Sequence, residues 1–527
     1  MAQAFDFVFI GAGQNQLSAA AYLAKAGYSV VLLETQSHWG GGCASGEVTQ
    51  PGFIHDLHAT NVFMAQANPL IRLDELELQS RFGLRFASLG DNPYHGTIFE
   101  DQSALALYTD LERSCESIAR YSANDAAVYR DFAEAARRYV RLFTFSMFTP
   151  PPRAETLLAV LGGSAEGRSL LELLNTSAWD AITSRFEDIH TRIHLLRLTT
   201  EMMLEPRRHG TGFALLLMVG LYHTYPRGFV IGGTQKFSDA LAQCIQHHGG
   251  EIKLGVSARE IDVHHGRACA VVLDTGEKFE ARKAVVSGLA PWKLGELNPC
   301  FEALSRRVGA VAGSDYTVFL IHLALNEAPK PKAPSEFQAM GFTTLAPLDL
   351  DAISRLTTDV TAGTVPKDFS ACYVCATNHD SSRAPPGKAT LYLYHTVPGA
   401  LAQGGVEAWD AIKQAQAEWI LKNTRRFVPN LSVENVAGMA LSSPLDYQRY
   451  SPSYRNGDVA SLAMMPDQFI LGRPLPELAQ FRVPDVEGMY LCGPFMHPGG
   501  GANGGGRAVA IRILQDLKAD LSATFSL

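Results

Sequence analysis

Gly11-Ala12-Gly13 follows the apolar run Phe5 to Ile10 and precedes a stretch with helical spacing of small and apolar residues, Leu17, Ala20, Ala21 and Ala24. A glycine turn between a strand and a helix aims backbone N–H groups and the positive helix end at one spot, which suits a dinucleotide pyrophosphate. Gln14 and Asn15 open that helix, and Glu34 ends a second apolar run, Ser29 to Leu33, 23 positions after Gly11. A carboxylate there can hold ribose hydroxyls. The third position of the glycine pattern is Gln16, so the close helix–strand packing that glycine permits must be reached another way.

A second group of residues could move protons. In His55-Asp56-Leu57-His58, read as one extended segment, both histidines are expected to face the same side. An imidazole titrating near pH 6.5 can take or give a proton in a redox step, and His497 carries the same potential. The simpler reading is that all three only hydrogen-bond backbone and ligand. Cys372-x-x-Cys375 lies in a run that reads as a buried strand, without the second pair a metal site needs, so no metal centre is expected. Arg207-Arg208-His209 reads as a solvated loop, with an acidic substrate group as the alternative.

The elements that position these residues follow from the pattern. The opening is a βαβ unit, parallel by the crossover rule. From about 101 to 225 the chain reads mostly helical, strongly amphipathic over 121–148, with a Pro150-Pro151-Pro152 break. Gly232-Gly233 precedes another amphipathic helix, 235–248, followed by strand-like runs at 251–256, 258–264, 268–274, 278–281 and 284–286 that read as a meander. The stretch from about 315 to 452 is expected to floor a substrate cavity. The end of the chain is strand (489–492), glycine-rich turn and helix. The organisation expected is three segments of one nucleotide-binding domain, 1–100, 226–295 and 481–527, interleaved with a helical region, 101–225, and a substrate domain, 296–480.

The 527 residues exceed a single binding module, and 46% hydrophobic against 19% charged residues supply a packed core rather than disorder. A net charge of −8 without a Lys/Arg run argues against nucleic acid as a partner. The apolar stretch 211–223 is too short to span a bilayer, which takes about 20 residues. The N-terminus lacks a basic leader, and eight scattered cysteines suit a reducing compartment. A cytoplasmic protein is expected, with docking of the 213–221 patch on a membrane surface left open.

The run from Gly11 to Gly27, then Val-Leu-Leu-Glu34, Gly40-Gly41-Gly42 and Pro51-Gly52-Phe53 resembles the phytoene desaturase-like flavoproteins of the flavin amine oxidase superfamily. Gly232-Gly233, Val285-Val-Ser-Gly-Leu-Ala-Pro291, Gly488-Met-Tyr-Leu-Cys-Gly493, His497-Pro-Gly-Gly-Gly501 and Gly504-Gly-Gly506 match in the same order. The resemblance implies an α/β fold with a Rossmann-like domain and extended FAD. Gly11, Gly13, Glu34, Gly41 and Gly42 would hold the adenine half, with Ala258 meeting the adenine through its backbone. Gly493, Gly500, Gly501 and Gly505 would approach the flavin ring, near which the His55–His58 segment passes. Many members carry arginine after the paired glycines, whereas Cys43 stands here, so the pyrophosphate must be met by backbone dipoles or another cation. Cys43 and Cys492 leave covalent flavin attachment as an alternative to buried inert thiols.

The activity implied is FAD-dependent desaturation of a C–C bond in a hydrophobic or amphipathic substrate, with the electron acceptor, dioxygen, a quinone or a protein, not identified by the sequence. Amine oxidation and double-bond isomerisation are the enzymatic alternatives. A prenyl-protein escort of the Rab escort or GDP dissociation inhibitor type is the non-enzymatic one.

Overall fold

The computed structural model describes residues 3–60, 62, 65–225, 228–469, 472–500 and 504–526. β1, Gln3–Ile10, is buried over its last four residues, as expected of a strand covered on both faces. It feeds α1, Gln14–Lys25, and then β2, Val30–Glu34. The sheet order runs Ala258–His264, Arg267–Leu273, Lys278–Ser287, β1, β2, Glu251–Leu254, and Met489–Leu491 pairs alongside Lys278–Ser287. Contacts from Lys278–Ser287 through β1 and β2 to Glu251–Leu254 are parallel, and the outer strands are antiparallel. Two expected short runs, 278–281 and 284–286, are one strand, because its two ends serve different partners. Phe279 and Glu280 pair antiparallel with Val271 and Ala270, while Val285–Ser287 pair parallel with Met489–Leu491. The 251–254 strand leaves the expected meander and pairs with β2.

A second sheet has the order Val436–Ser442, Thr317–Leu325, Ala389–Val397, Ala371–Val374, Phe342–Ala346, His95–Phe99, Ala104–Leu107. The boundary expected at residue 100 therefore falls inside a hairpin of this sheet. Helices between residues 111 and 224 cover it. Ala123–Met147 packs along Gly212–Thr224, whose residues 212–223 are all buried. The 213–221 patch is thus interior, packed on helices and sheet and on the wall of an internal cavity, and it offers no surface for a membrane. No helix among the described residues is long and apolar enough to cross one.

Gln16 resolves the missing third glycine. Its side chain is 5% exposed and its Nε2 donates to the Cys492 carbonyl at the end of the Met489–Leu491 strand. Gly288 stands opposite, where a Cβ would lie 2.4 Å from that same Nε2. The helix is held to the sheet by a side-chain hydrogen bond instead of by close backbone contact. One residue earlier, α1 crosses the tail helix Gly505–Asp516 so closely that a Cβ on Gly506 would lie 2.2 Å from the Asn15 carbonyl oxygen.

Burial holds several histidines neutral. It pulls His55, His58, His223 and His497 down to about 4, and His194 and His395 to about 3, by desolvating the imidazolium. The unfolded chain binds these protons near pH 6.5 and the folded one does not, so stability must fall as pH drops. Thermal melts are expected to show Tm constant above pH 7 and declining steadily from pH 6.5 towards 4. A flat profile across that window would contradict the burial of these rings.

Candidate functional site

β1 leads into Gly11, whose N–H donates to the Leu33 carbonyl at 2.7 Å, and Gly13 caps α1 without any side-chain hydrogen bond. No acidic residue sits in the first turn, so the helix start faces the adjoining cavity with its N–H groups uncapped by side chains. The paired-glycine loop closes on this turn. Gly40 N–H bonds Ala12 O at 2.9 Å, and Gly41, at φ +55°, stands where a Cβ would lie 3.1 Å from Gly13 Cα. Glu34 is fixed at the loop's edge by accepting from Ala12 N–H at 2.7 Å and Gln36 N–H at 2.8 Å. Gln14 Nε2 is buried without a partner on the same wall. Uncapped helix N–H groups, a glycine cradle, an orphaned amide donor and a carboxylate fit the phosphates and ribose of FAD.

One cavity of about 660 Å³ runs from these loops into the space between the second sheet and the helices. Gly11, Gly13, Gln14, Asn15, Glu34, Gly41, Gly42, Ala258 and Gly500 all line it. Gly493 and Gly505 do not: a Cβ on Gly493 would meet the Phe495 ring at 2.6 Å, and one on Gly505 would meet Asn15 and the His497 carbonyl at 3.2 Å. These two glycines serve local packing. Gly501 lies outside the described residues. The one arginine on the described wall, Arg449, is already paired with Asp410 at 2.6 and 2.9 Å, so the glycine loops present backbone N–H groups rather than an unpaired arginine.

The three histidines separate. His58 lines the cavity and His55 does not, because the strand ends at Asp56 and the chain bends through Leu57 and His58. His55 bonds Thr49 Oγ1 at 2.8 Å and packs on His322. His497 bonds the Ser146 carbonyl at 2.9 Å and ties the glycine-rich turn to the helical layer. Both ring nitrogens of His58 are buried without a partner, and its ring packs on Tyr450, Tyr447 and Tyr454 at 4.4, 5.5 and 5.7 Å. Tyr450 in turn donates to Gly41 O at 2.9 Å, while Tyr392 donates to His58 O at 2.5 Å. The tyrosine stripe at 447, 450 and 454 has helical spacing and was a readable signal.

Beyond His58 the wall is apolar and phenolic, with Met147, Leu217, Met218, Val318, Phe342 and Tyr394. Glu201 stands here just past the helix Ile189–Thr200, accepting a 2.5 Å hydrogen bond from Tyr394 Oη. Among the described residues it is the single charged side chain of this part of the wall, the others being Glu34 and Arg449 beside the glycine loops. Burial pushes the phenols of Tyr392 and Tyr394 up, so they remain donors. The same effect raises Cys43 to about 12 and Cys492 further, which leaves both as thiols without nucleophilic character. Cys375 is held at about 11. Arg207 stacks on Trp179 and Arg208 pairs with Asp315 at 2.7 Å, so this cluster braces the helical layer.

The family model for flavin containing amine oxidoreductase matches residues 17–411. Rat pyridine nucleotide-disulfide oxidoreductase domain-containing protein 2 is 27% identical over 98% of this chain and 94% of its own. One of the limonene dehydrogenase subunits of Castellaniella defragrans is 24% identical over 97% and 95%, and lycopene-forming phytoene desaturases stand among further relatives. The solved cyclohexylamine oxidase of Brevibacterium oxydans superposes with a TM-score of 0.57 at 16% identity, covering 98% of this chain and 99% of its own, and shares the fold.

Gly41→Val should remove the cradle without touching the core, since the side chain meets backbone at a left-handed position. The flavin-to-protein absorbance ratio of the purified variant is expected to fall at least tenfold with the far-ultraviolet dichroism unchanged. Retention of full flavin would place the cofactor elsewhere.

Proposed function

Because the chain belongs to the flavin containing amine oxidoreductase family, we propose that it is a dehydrogenase that forms a C=C bond in a largely apolar substrate carrying a polar group. It is an FAD-dependent oxidoreductase. The observation that supports the finer reading is the single cavity that joins the dinucleotide loops to an apolar and phenolic chamber holding one carboxylate. FAD, when bound, supplies the acceptor for a hydride. The chain's own residues must then seat the substrate, exclude water and take the second hydrogen as a proton.

Glu201 is the group placed for that proton. Tyr394 orients it, and the apolar wall around it keeps bulk water from competing. Burial holds His58 at about 4, well below the usual imidazole range, so charging its ring in the cavity is unfavourable. Met147, Leu217, Met218 and Phe342 offer adaptable apolar surface for a hydrocarbon body. The presence of hydrocarbon dehydrogenases and desaturases among the relatives is consistent with this substrate class.

An amine substrate is the second reading. A carboxylate framed by tyrosine rings also suits an ammonium group. Dioxygen or a quinone would complete either cycle.

Glu201→Gln is expected to keep its flavin and lower the anaerobic rate of flavin bleaching by an unsaturable hydrocarbon about 10²–10⁴-fold, the range for loss of a positioned base. Stopped-flow absorbance at the flavin band checks this. An undiminished rate would remove Glu201 as the proton acceptor. Bleaching by amines alone, with aldehyde and ammonia as products, would replace the desaturase reading with the second one.

A further inference from the structure

A second cavity, of about 530 Å³, lies against the same two helices on another side. Met147 and Leu217 face the flavin-side cavity, whereas Arg141 and Thr144 of the first helix and Thr224 of the second line this one. Its remaining walls come from Pro69–Arg72, from Arg507 of the tail helix and from Ser526 at the chain's end. Three arginines therefore converge here, and no carboxylate lines the cavity among the described residues.

The three play different parts. Arg507 is 2% exposed and fully engaged: it holds Glu75 through two 2.7 Å bonds and the Phe148 carbonyl at 2.9 Å. Arg72 and Arg141 are exposed, and neither makes an ion pair or side-chain hydrogen bond with the described residues. Thr224 Oγ1 is buried without a partner on the same wall, and the Thr144 and Tyr225 hydroxyls pair with each other at 2.8 Å. The lining thus presents two guanidinium groups without ion-pair partners and one unsatisfied hydroxyl.

We propose that this cavity is a binding site for a phosphate group, separate from the dinucleotide site. Guanidinium forks and hydroxyl donors match the acceptor-rich phosphate in charge and in geometry. Ala67, Pro69 and Leu73 add an apolar side to the lining, and Leu73 is 47% exposed, so the phosphate can carry an organic body. Two sources share this chemistry, a soluble phosphate and the headgroup of an anionic phospholipid. The apolar helix Ala154–Gly162, with Leu158 and Val160 exposed at 42% and 68%, begins five residues after Thr149 of the cavity wall and makes the second source worth a direct test.

The test uses flavin-loaded protein, so that the dinucleotide phosphates occupy their own site. Inorganic phosphate and pyrophosphate are titrated by calorimetry, and cosedimentation is measured with phosphatidylglycerol and phosphatidylcholine vesicles. The variants are Arg72→Gln/Arg141→Gln and, as a charge-matched control on other exposed surface, Arg282→Gln/Arg306→Gln. One equivalent of soluble phosphate bound by wild type and control, and at least tenfold more weakly by the cavity variant, establishes the site with a soluble source. Cosedimentation with phosphatidylglycerol only, lost in the cavity variant and kept in the control, establishes it with a lipid source. Binding to neither probe, or binding that the cavity variant retains at full strength, overturns the proposal. Flavin content and turnover are expected to be unchanged in the cavity variant, so the outcome is independent of the desaturase reading.

Discussion

The buried ion pair between Asp56 and Arg383 is the constraint on which the site's geometry rests. Both side chains are about 1% exposed, and the Nη1 to Oδ2 distance is 2.5 Å. Removing two charges from water is costly, and attraction repays it only where the remaining lone pairs and protons are also satisfied. Here they are. Oδ1 of Asp56 accepts from Ser45 Oγ, Thr234 N–H and Thr234 Oγ1, and Oδ2 also accepts from Thr60. Arg383 spends its other nitrogens on Asp380 and the Val230 carbonyl. Three stretches of chain are fixed at one point: the segment carrying His58, the Gly232-Gly233 turn with the helix after it, and the loop leading into the Ala389–Val397 strand. Deleting either partner leaves a charge buried alone, a loss of about 3–5 kcal/mol, and frees the two domains to move against each other.

Glu75 and Arg507 repeat the device beneath the tail helix. Tyr22 Oη and Ser526 N–H complete the carboxylate's acceptor positions at 2.5 and 2.9 Å, and Phe525 stacks on Tyr22 with ring centroids 4.6 Å apart. The end of the chain is thereby locked to α1, the helix whose start faces the dinucleotide site. Rigid placement of α1 matters because its N–H groups act on phosphate only while they point at it.

What the sequence made legible was local. β1, α1, β2 and the tail helix could be read from periodicity and glycine punctuation, because a strand, a turn and a helix are each specified by neighbours within a few residues. Nine of the residues expected to hold the cofactor do line one cavity for the same reason. The readings that failed depended on distant partners or on where a strand ends. Gln16 looked like a defect until Cys492, 476 positions away, supplied its acceptor. His55 and His58 looked equivalent until the bend after the short strand His55–Asp56 carried His58 to the cavity and left His55 off it. Glu201 carried no signal, since nothing near it in sequence announces that Tyr394 will meet it across the cavity. The long strand Lys278–Ser287 read as two because one strand with two kinds of partner has no single periodicity.

The choice between proton acceptors comes down to desolvation. Holding His58 at about 4 means that charging its ring there is harder by about 3 kcal/mol than in water. Its neighbours are three phenol rings with raised ionisation, so none of them is an anion that could stabilise the imidazolium. Glu201, which accepts from Tyr394, has the opposite charge logic: taking up a proton creates no new charge, whereas protonating His58 does. In the proposed dehydrogenation, loss of hydride would also leave positive charge on the substrate carbon, and a carboxylate framed by tyrosine faces would oppose that charge as it develops. The same wall that disfavours His58 as a base therefore favours Glu201. It leaves His58 suited to hydrogen bonding as a neutral ring, beside the loops that hold the dinucleotide.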